Sequence, residues 1–156
     1  MEFIALNQLN EVQKKSVLKI WNKEYPKILS YKELIDFDDY LDKLKDKKHL
    51  ILLDRNDNIQ GWYCDFIRDG ERWFALIINV SMQGKKLGTK FLNLAKSKNS
   101  VLNAWVMDKE DEIKQNGKIY KSPLHFYLKN EFIQLSSIRL ETDKMSAVKI
   151  IWNRTN

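Results

Sequence analysis

The stretch Phe74 to Lys98, FALIINVSMQGKKLGTKFLNLAKSK, decides the fold. It opens with an apolar run rich in Ile and passes a short polar turn at Ser81-Met82-Gln83-Gly84. It continues as an amphipathic segment with Leu87, Phe91, Leu94 and Ala95 on one face. That pattern predicts strand, tight loop, helix. Gly84 and Gly88 flank Lys85, Lys86 and Leu87, so side chains are missing where backbone amides could close on an anion. The helix behind adds its positive end. From Gln83 to Asn99 there are five lysines and no acid. The chemistry implied is phosphate binding by the N–H groups of Gly84 to Thr89, with flanking charge. The competing assignment is an ordinary strand-to-helix turn, since short Gly-rich loops before helices also arise by chance.

Upstream, His49 to Leu53 is predicted as a strand, and Arg55-Asn56-Asp57-Asn58 supplies the turn into a second strand from Ile59 to Ile67. Asp69-Gly70 marks a hairpin into Arg72 to Val80, the strand that feeds the loop. Downstream, the apolar run Val101 to Met107 can pair parallel to that strand through a right-handed helical crossover. Further out, Phe3 to Leu6 can open the sheet. Asn7 or Asn10 then caps a helix carrying Leu9, Val12, Val17, Ile20 and Trp21, which Pro26 ends. A second helix is expected from about Tyr31, with Leu34, Phe37, Leu41 and Leu44 at helical spacing. Its Asp36, Asp38, Asp39 and Asp42 form either a solvated face or a negative patch that draws a cationic acceptor. Asp108 to Lys121 is charged and broken by Asn116-Gly117, as expected of an exposed loop. Ser122 as N-cap and Pro123 at the first position start a short helix to Asn130. Phe132 to Leu140 and Met145 to Trp152 form a closing pair of strands.

Gln83-Gly84-Lys85-Lys86-Leu87-Gly88 resembles the Gln/Arg-x-x-Gly-x-Gly/Ala signature of the GNAT acyltransferases, which hold the pyrophosphate of acetyl-coenzyme A there. Lys86 stands at the usual first glycine, where it offers its N–H if its φ is negative. The order of elements agrees along nearly the whole chain. The resemblance implies an α+β, three-layer fold. A mixed, mostly antiparallel sheet of about seven strands is split by a V-shaped cleft and flanked by about four helices, in one domain spanning residues 1–156. The pantetheine arm is expected in that cleft, on backbone groups of Ile78 and Val80, and the pyrophosphate on Gln83, Gly84, Lys85, Lys86, Leu87, Gly88 and Thr89. Tyr127-Leu128-Lys129-Asn130-Glu131-Phe132 resembles the family's Tyr-x-x-x-Gly-Phe, with Glu131 in place of glycine. By that resemblance Tyr127 returns a proton to the departing thiolate of coenzyme A, a suitable task for a phenol. The alternative is a core tyrosine.

The resemblance thus implies acetyl transfer from acetyl-coenzyme A to a small amine or a peptide amine. Candidate bases for the amine are Asp65, Glu71 and the backbone near Asn79, among which the sequence does not choose. Lys86 and Glu131 also keep open an acyl-coenzyme A-binding module without turnover.

The 156 residues are 44% hydrophobic and 31% charged, which fits one globular core. A formal charge of +6 admits an anionic cofactor or nucleic acid. The lysines are spread through nearly every segment, with no Arg-rich run, so nucleic acid is not the expected partner. No apolar run has membrane-spanning length. Cys64 is the single cysteine and alternates with Trp62 and Phe66 on a core face. With two histidines the chain has no metal-ligand spacing, so no metal is expected. A reducing cytoplasm and a monomer or homodimer are the expected setting.

Overall fold

The structure is a computed structural model and describes residues 1–155. Strand β1 (Glu2–Leu6) leads to helix α1 (Glu11–Glu24). Asn10 caps α1: its side chain accepts from the Gln13 N–H at 2.8 Å, and the Gln13 side chain accepts from the Asn10 N–H. After Pro26 a turn of 3-10 helix (Lys27–Leu29) precedes α2 (Leu34–Asp42), which begins three residues later than the sequence suggests. Tyr31 stays extended because Asn22 clamps it, accepting from its N–H at 3.0 Å and donating to its C=O at 2.8 Å.

Strands β2 (Lys45–Leu53), β3 (Ile59–Arg68) and β4 (Glu71–Ile78) form the expected antiparallel meander. Asp69 and Gly70 both take positive φ, as a two-residue turn demands. Helix α3 (Leu87–Lys98) carries the chain to β5 (Val101–Val106), then α4 (Leu124–Lys129), β6 (Ile133–Glu141) and β7 (Ser146–Asn153). The seven strands lie in the order β1-β2-β3-β4-β5-β7-β6, all antiparallel except β4 with β5. Alternation along β3 divides the core. Tyr63 faces α3 and α4 with Phe74, Phe91 and Leu92, while Trp62, Cys64 and Phe66 face α1 and α2 with Trp21 and Phe37.

Several expectations are corrected. Leu94 is 38% exposed, and Leu92 lies in the core in its place, because the α3 face meets the sheet along Leu87, Phe91, Leu92 and Ala95. Val12 is likewise exposed on α1. β4 stops at Ile78, before Val80. The Met82 and Gln83 N–H groups bond back to the Asn79 and Val80 carbonyls, winding residues Val80–Met82 into 3-10 helix. Asp108 to Lys121 is no free loop: Ile113 bridges Ile119, the Lys27 N–H donates to the Ile113 C=O at 2.7 Å, and Tyr120 is half-buried. Ser122 sits one residue outside the cap, its hydroxyl accepting from the Leu124 N–H at 3.2 Å.

His49 is 2% exposed, with its Nδ1 accepting from the Trp62 indole N–H at 3.0 Å. Burial, then Lys47 and Lys14, push its pKa down to about 4. The unfolded chain therefore binds the extra proton between about pH 4 and pH 6.5, and stability is lost as pH falls through that window. We expect roughly 2 kcal/mol less unfolding free energy at pH 5 than at pH 7.5 from this group. His49→Gln, which keeps an acceptor for Trp62, should lose most of that slope in urea titrations at the two pH values. An unchanged slope would assign the acid sensitivity elsewhere.

Candidate active site

The site begins where two parallel strands part. β4 and β5 pair only at Trp73 with Asn103, and beyond that point no ladder joins them. The Asn79 N–H donates to the Gln60 C=O at 2.8 Å, which makes 60 and 79 a hydrogen-bonded pair. By antiparallel alternation the N–H and C=O groups of Phe74, Leu76 and Ile78 then point away from β3 into the gap. This is the V-shaped cleft, and Ile78 lies on its edge. Val80 differs. Its N–H donates to Glu24 Oε2 at 2.7 Å and its C=O accepts from Gln83, so neither backbone group is free for a pantetheine arm.

Glu24 is a residue that sequence reading missed. It ends α1, is 8% exposed, and also accepts from Lys114 Nζ at 3.1 Å. One carboxylate thus ties α1, the turn after β4 and the 108–121 segment together. No spacing in the sequence announces it, because its partners lie 56 and 90 residues away.

At the head of α3 the chain makes two left-handed turns, Gly84 at φ +78° and Lys86 at φ +60°. The conditional expectation of a negative φ at Lys86 is therefore not met. The lysine adopts the conformation glycine takes cheaply, at a cost of roughly 1–2 kcal/mol. The helix N-terminus is nonetheless formed. Among the described residues, the N–H groups of Lys86, Leu87, Gly88 and Thr89 make no hydrogen bond, and no side chain caps the helix. Open donors on a positive helix end, beside Lys85, Lys86 and Lys90, suit an anion. At Gly88 a Cβ would stand 2.8 Å from Phe126 Cζ and 3.4 Å from Ile78 Cδ1, so the missing side chain lets α4 pack against the start of α3.

Lys86→Gly should raise stability by roughly 1 kcal/mol, or about 2–4 °C in Tm, by relieving the left-handed residue. Affinity for coenzyme A should change only a few-fold, because one exposed charge near the phosphates is lost. Calorimetry on the parent protein and on Lys86→Gly checks this, and a loss of several hundredfold would make the lysine a specific ligand.

Tyr127 lines a cavity of about 620 Å³ that extends between β4 and β5 and under α1. Its ring is held by Phe74, Phe126 and Phe132, with centroids 5.8, 5.1 and 5.6 Å away. Among the described residues nothing hydrogen-bonds its hydroxyl. Burial, then Tyr120, push its pKa well above the ordinary phenol value, so it stays protonated in any neutral buffer. Tyr120, pushed up by burial to about 12, and Tyr25 line the same cavity. The Tyr25 hydroxyl donates to the Leu76 C=O at 3.4 Å. Glu131 takes φ +71°, and the Phe132 and Glu131 N–H groups bond to the Tyr127 and Leu128 carbonyls at 3.1 and 3.2 Å. That is the helix ending glycine usually makes, so the backbone that positions Tyr127 is preserved.

The expected bases do not face the cavity. Asp65 is 4% exposed, accepts from the Tyr63 hydroxyl at 2.7 Å and pairs with Arg72 at 3.0 Å; burial pushes its pKa up. Glu71 is exposed, 3.9 Å from Lys149. The Asn79 N–H is held by Gln60. Of the α2 acids, Asp38 pairs with Lys14 at 2.6 Å, and none of the four lines the cavity. His125 is exposed on α4.

No family model and no curated protein matches the sequence. Among solved structures, an aminoglycoside 6'-N-acetyltransferase complexed with coenzyme A is similar over all of both chains, with a TM-score of 0.70 at 11% identity. The spermidine N-acetyltransferase of Vibrio cholerae, in complex with coenzyme A and spermine, is similar over 97% of this chain and 95% of its own. Its TM-score is 0.66 at 13% identity. The chain has the fold of the GNAT N-acetyltransferases, with the seven-stranded sheet and four helices of that fold.

Proposed function

We propose that this protein is an N-acetyltransferase that moves an acetyl group from acetyl-coenzyme A to a primary amine by direct attack in a ternary complex. The observation that carries this is the parting of β4 and β5 between an open helix N-terminus and a hydroxyl without a partner. The first suits the phosphates, the cleft suits the pantetheine arm, and Tyr127 suits the sulfur. The Ile78 N–H, directed into the gap, can polarise the thioester carbonyl. The amine nitrogen bonds to the carbonyl carbon, the C–S bond breaks, and its electron pair stays on sulfur. The thiolate takes the Tyr127 proton. With Asp65, Glu71 and Asn79 engaged or outside the cavity, the amine protons leave to water, one of them restoring the tyrosine.

A binding module without turnover was the competing reading because glycines are replaced at 86 and 131. Both replacements keep the left-handed backbone, which favours activity. Thiol release from acetyl-coenzyme A with a panel of amines tests the proposal. Amine-dependent release supports it; tight cofactor binding without release favours the module. Dephospho-coenzyme A and pantetheine should bind more weakly than coenzyme A, and equal affinity would show that the α3 loop does not hold the phosphates.

A further inference from the structure

The wall of the cavity away from the phosphate loop has a composition that selects among amines. Of its 22 lining residues ten are aromatic, none is Asp or Glu, and the two charged ones are Arg68 and Lys144. Lys144 is exposed at the rim, whereas Arg68 is half-buried at the end of β3. The Arg68 Cζ lies 5.0 Å from the Phe66 ring centroid and 5.3 Å from that of Trp73. Among the described residues the Arg68 side chain forms no ion pair and no hydrogen bond. The other arginines differ: Arg72 pairs with Asp65, Arg139 with Asp108, Arg154 donates to the Lys96 and Asn99 carbonyls, and Arg55 is exposed.

Cation–π contact with these two rings leaves the guanidinium's N–H donors free. A polyamine would bring more positive charge to a wall that has no carboxylate to receive it.

We propose that the cavity takes an acceptor amine bearing a carboxylate on an aromatic or large apolar body, with the carboxylate on Arg68 and the body among Trp21, Tyr40, Trp73 and Trp105. This rests on the acetyltransferase reading and names its substrate class. The planar guanidinium fits a carboxylate in a two-point contact, and the flat rings fit a flat body.

The experiment is calorimetry with the coenzyme A-loaded protein and two matched pairs: L-tryptophan against tryptamine, and L-phenylalanine against 2-phenylethylamine, with spermidine alongside. Each acid should bind at least about 30-fold tighter than its decarboxylated partner. Arg68→Gln should bring that ratio close to one, and Arg68→Lys should restore part of it, with melting temperatures showing that both variants fold. Equal or tighter binding of the decarboxylated amines or of spermidine overturns the proposal, as does failure of every acid to bind. So does an Arg68→Gln effect equal on both members of a pair, which would make the arginine structural. If the binding preference holds while no amine releases thiol from acetyl-coenzyme A, the acetyltransferase reading fails and the site's anion chemistry stands.

Discussion

Tyr127→Phe is expected to lower kcat by about 10²–10⁴-fold while leaving the KM for acetyl-coenzyme A nearly unchanged. The ring is one of four that pack together, with Phe74, Phe126 and Phe132, and phenylalanine keeps it. Among the described residues the hydroxyl has no partner to lose, so melting temperature should move by no more than about 2 °C, the scale of half a kcal/mol in a chain of this size. What disappears is the proton for the thiolate. Because burial holds the phenol protonated, its loss by ionisation should put no alkaline limb on kcat below about pH 10. Single-turnover kinetics separates the step from product release. Near-normal chemistry in the phenylalanine variant would make Tyr127 a packing residue and water the proton donor.

The second large effect falls on stability. Glu24→Ala removes a carboxylate that holds three segments and leaves Lys114, 15% exposed at its side chain, without its counter-charge. Breaking one side of a buried pair costs about 3–5 kcal/mol. For a chain of this length that lowers Tm by roughly 6–20 °C. The Val80 N–H would also lose its acceptor, so the turn after β4 should loosen and amide exchange at Val80 should accelerate well beyond that in β3. Replacing both partners, as in Glu24→Met with Lys114→Met, should recover much of the loss, since no charge is then stranded. A double variant no more stable than Glu24→Ala would show that the hydrogen bond to Val80, not the ion pair, carries the effect.

The order of elements and the turn chemistry were legible because they are local. Asp69-Gly70 names its hairpin, Asn7 and Asn10 mark where α1 can be capped, with Asn10 the one that does so, and the apolar run into Gln83-Gly84 names a strand entering a helix. Each is decided by φ preferences and hydrogen bonds within a few residues. The pattern from Phe74 to Lys98 also carried the open N-terminus of α3, since a helix that starts behind a glycine turn without a side-chain cap leaves its first N–H groups unsatisfied. Tyr127 was legible as a position, and it lines the cavity from within a cluster of aromatic rings.

Other features were decided only when distant strands set their register. Periodicity placed Leu94 inward, but the sheet meets α3 along Leu92, a rotation of the buried face that only the packed angle defines. Val80 looked like the next free residue of β4, yet a carboxylate from α1 takes its N–H. Tyr120 sat in a charged segment that reads as solvent-exposed, and the segment docks because Lys27 and Glu24 hold it. The acceptor wall is the clearest case. Trp21, Ser30, Arg68, Trp105 and Tyr120 come from five separate segments and share no spacing. The sequence by itself determined which backbone would be made and where an anion could sit on it. Which side chains meet across the cleft, and that Arg68 meets no carboxylate there, depended on non-local strand order and crossover, which no short window of residues encodes.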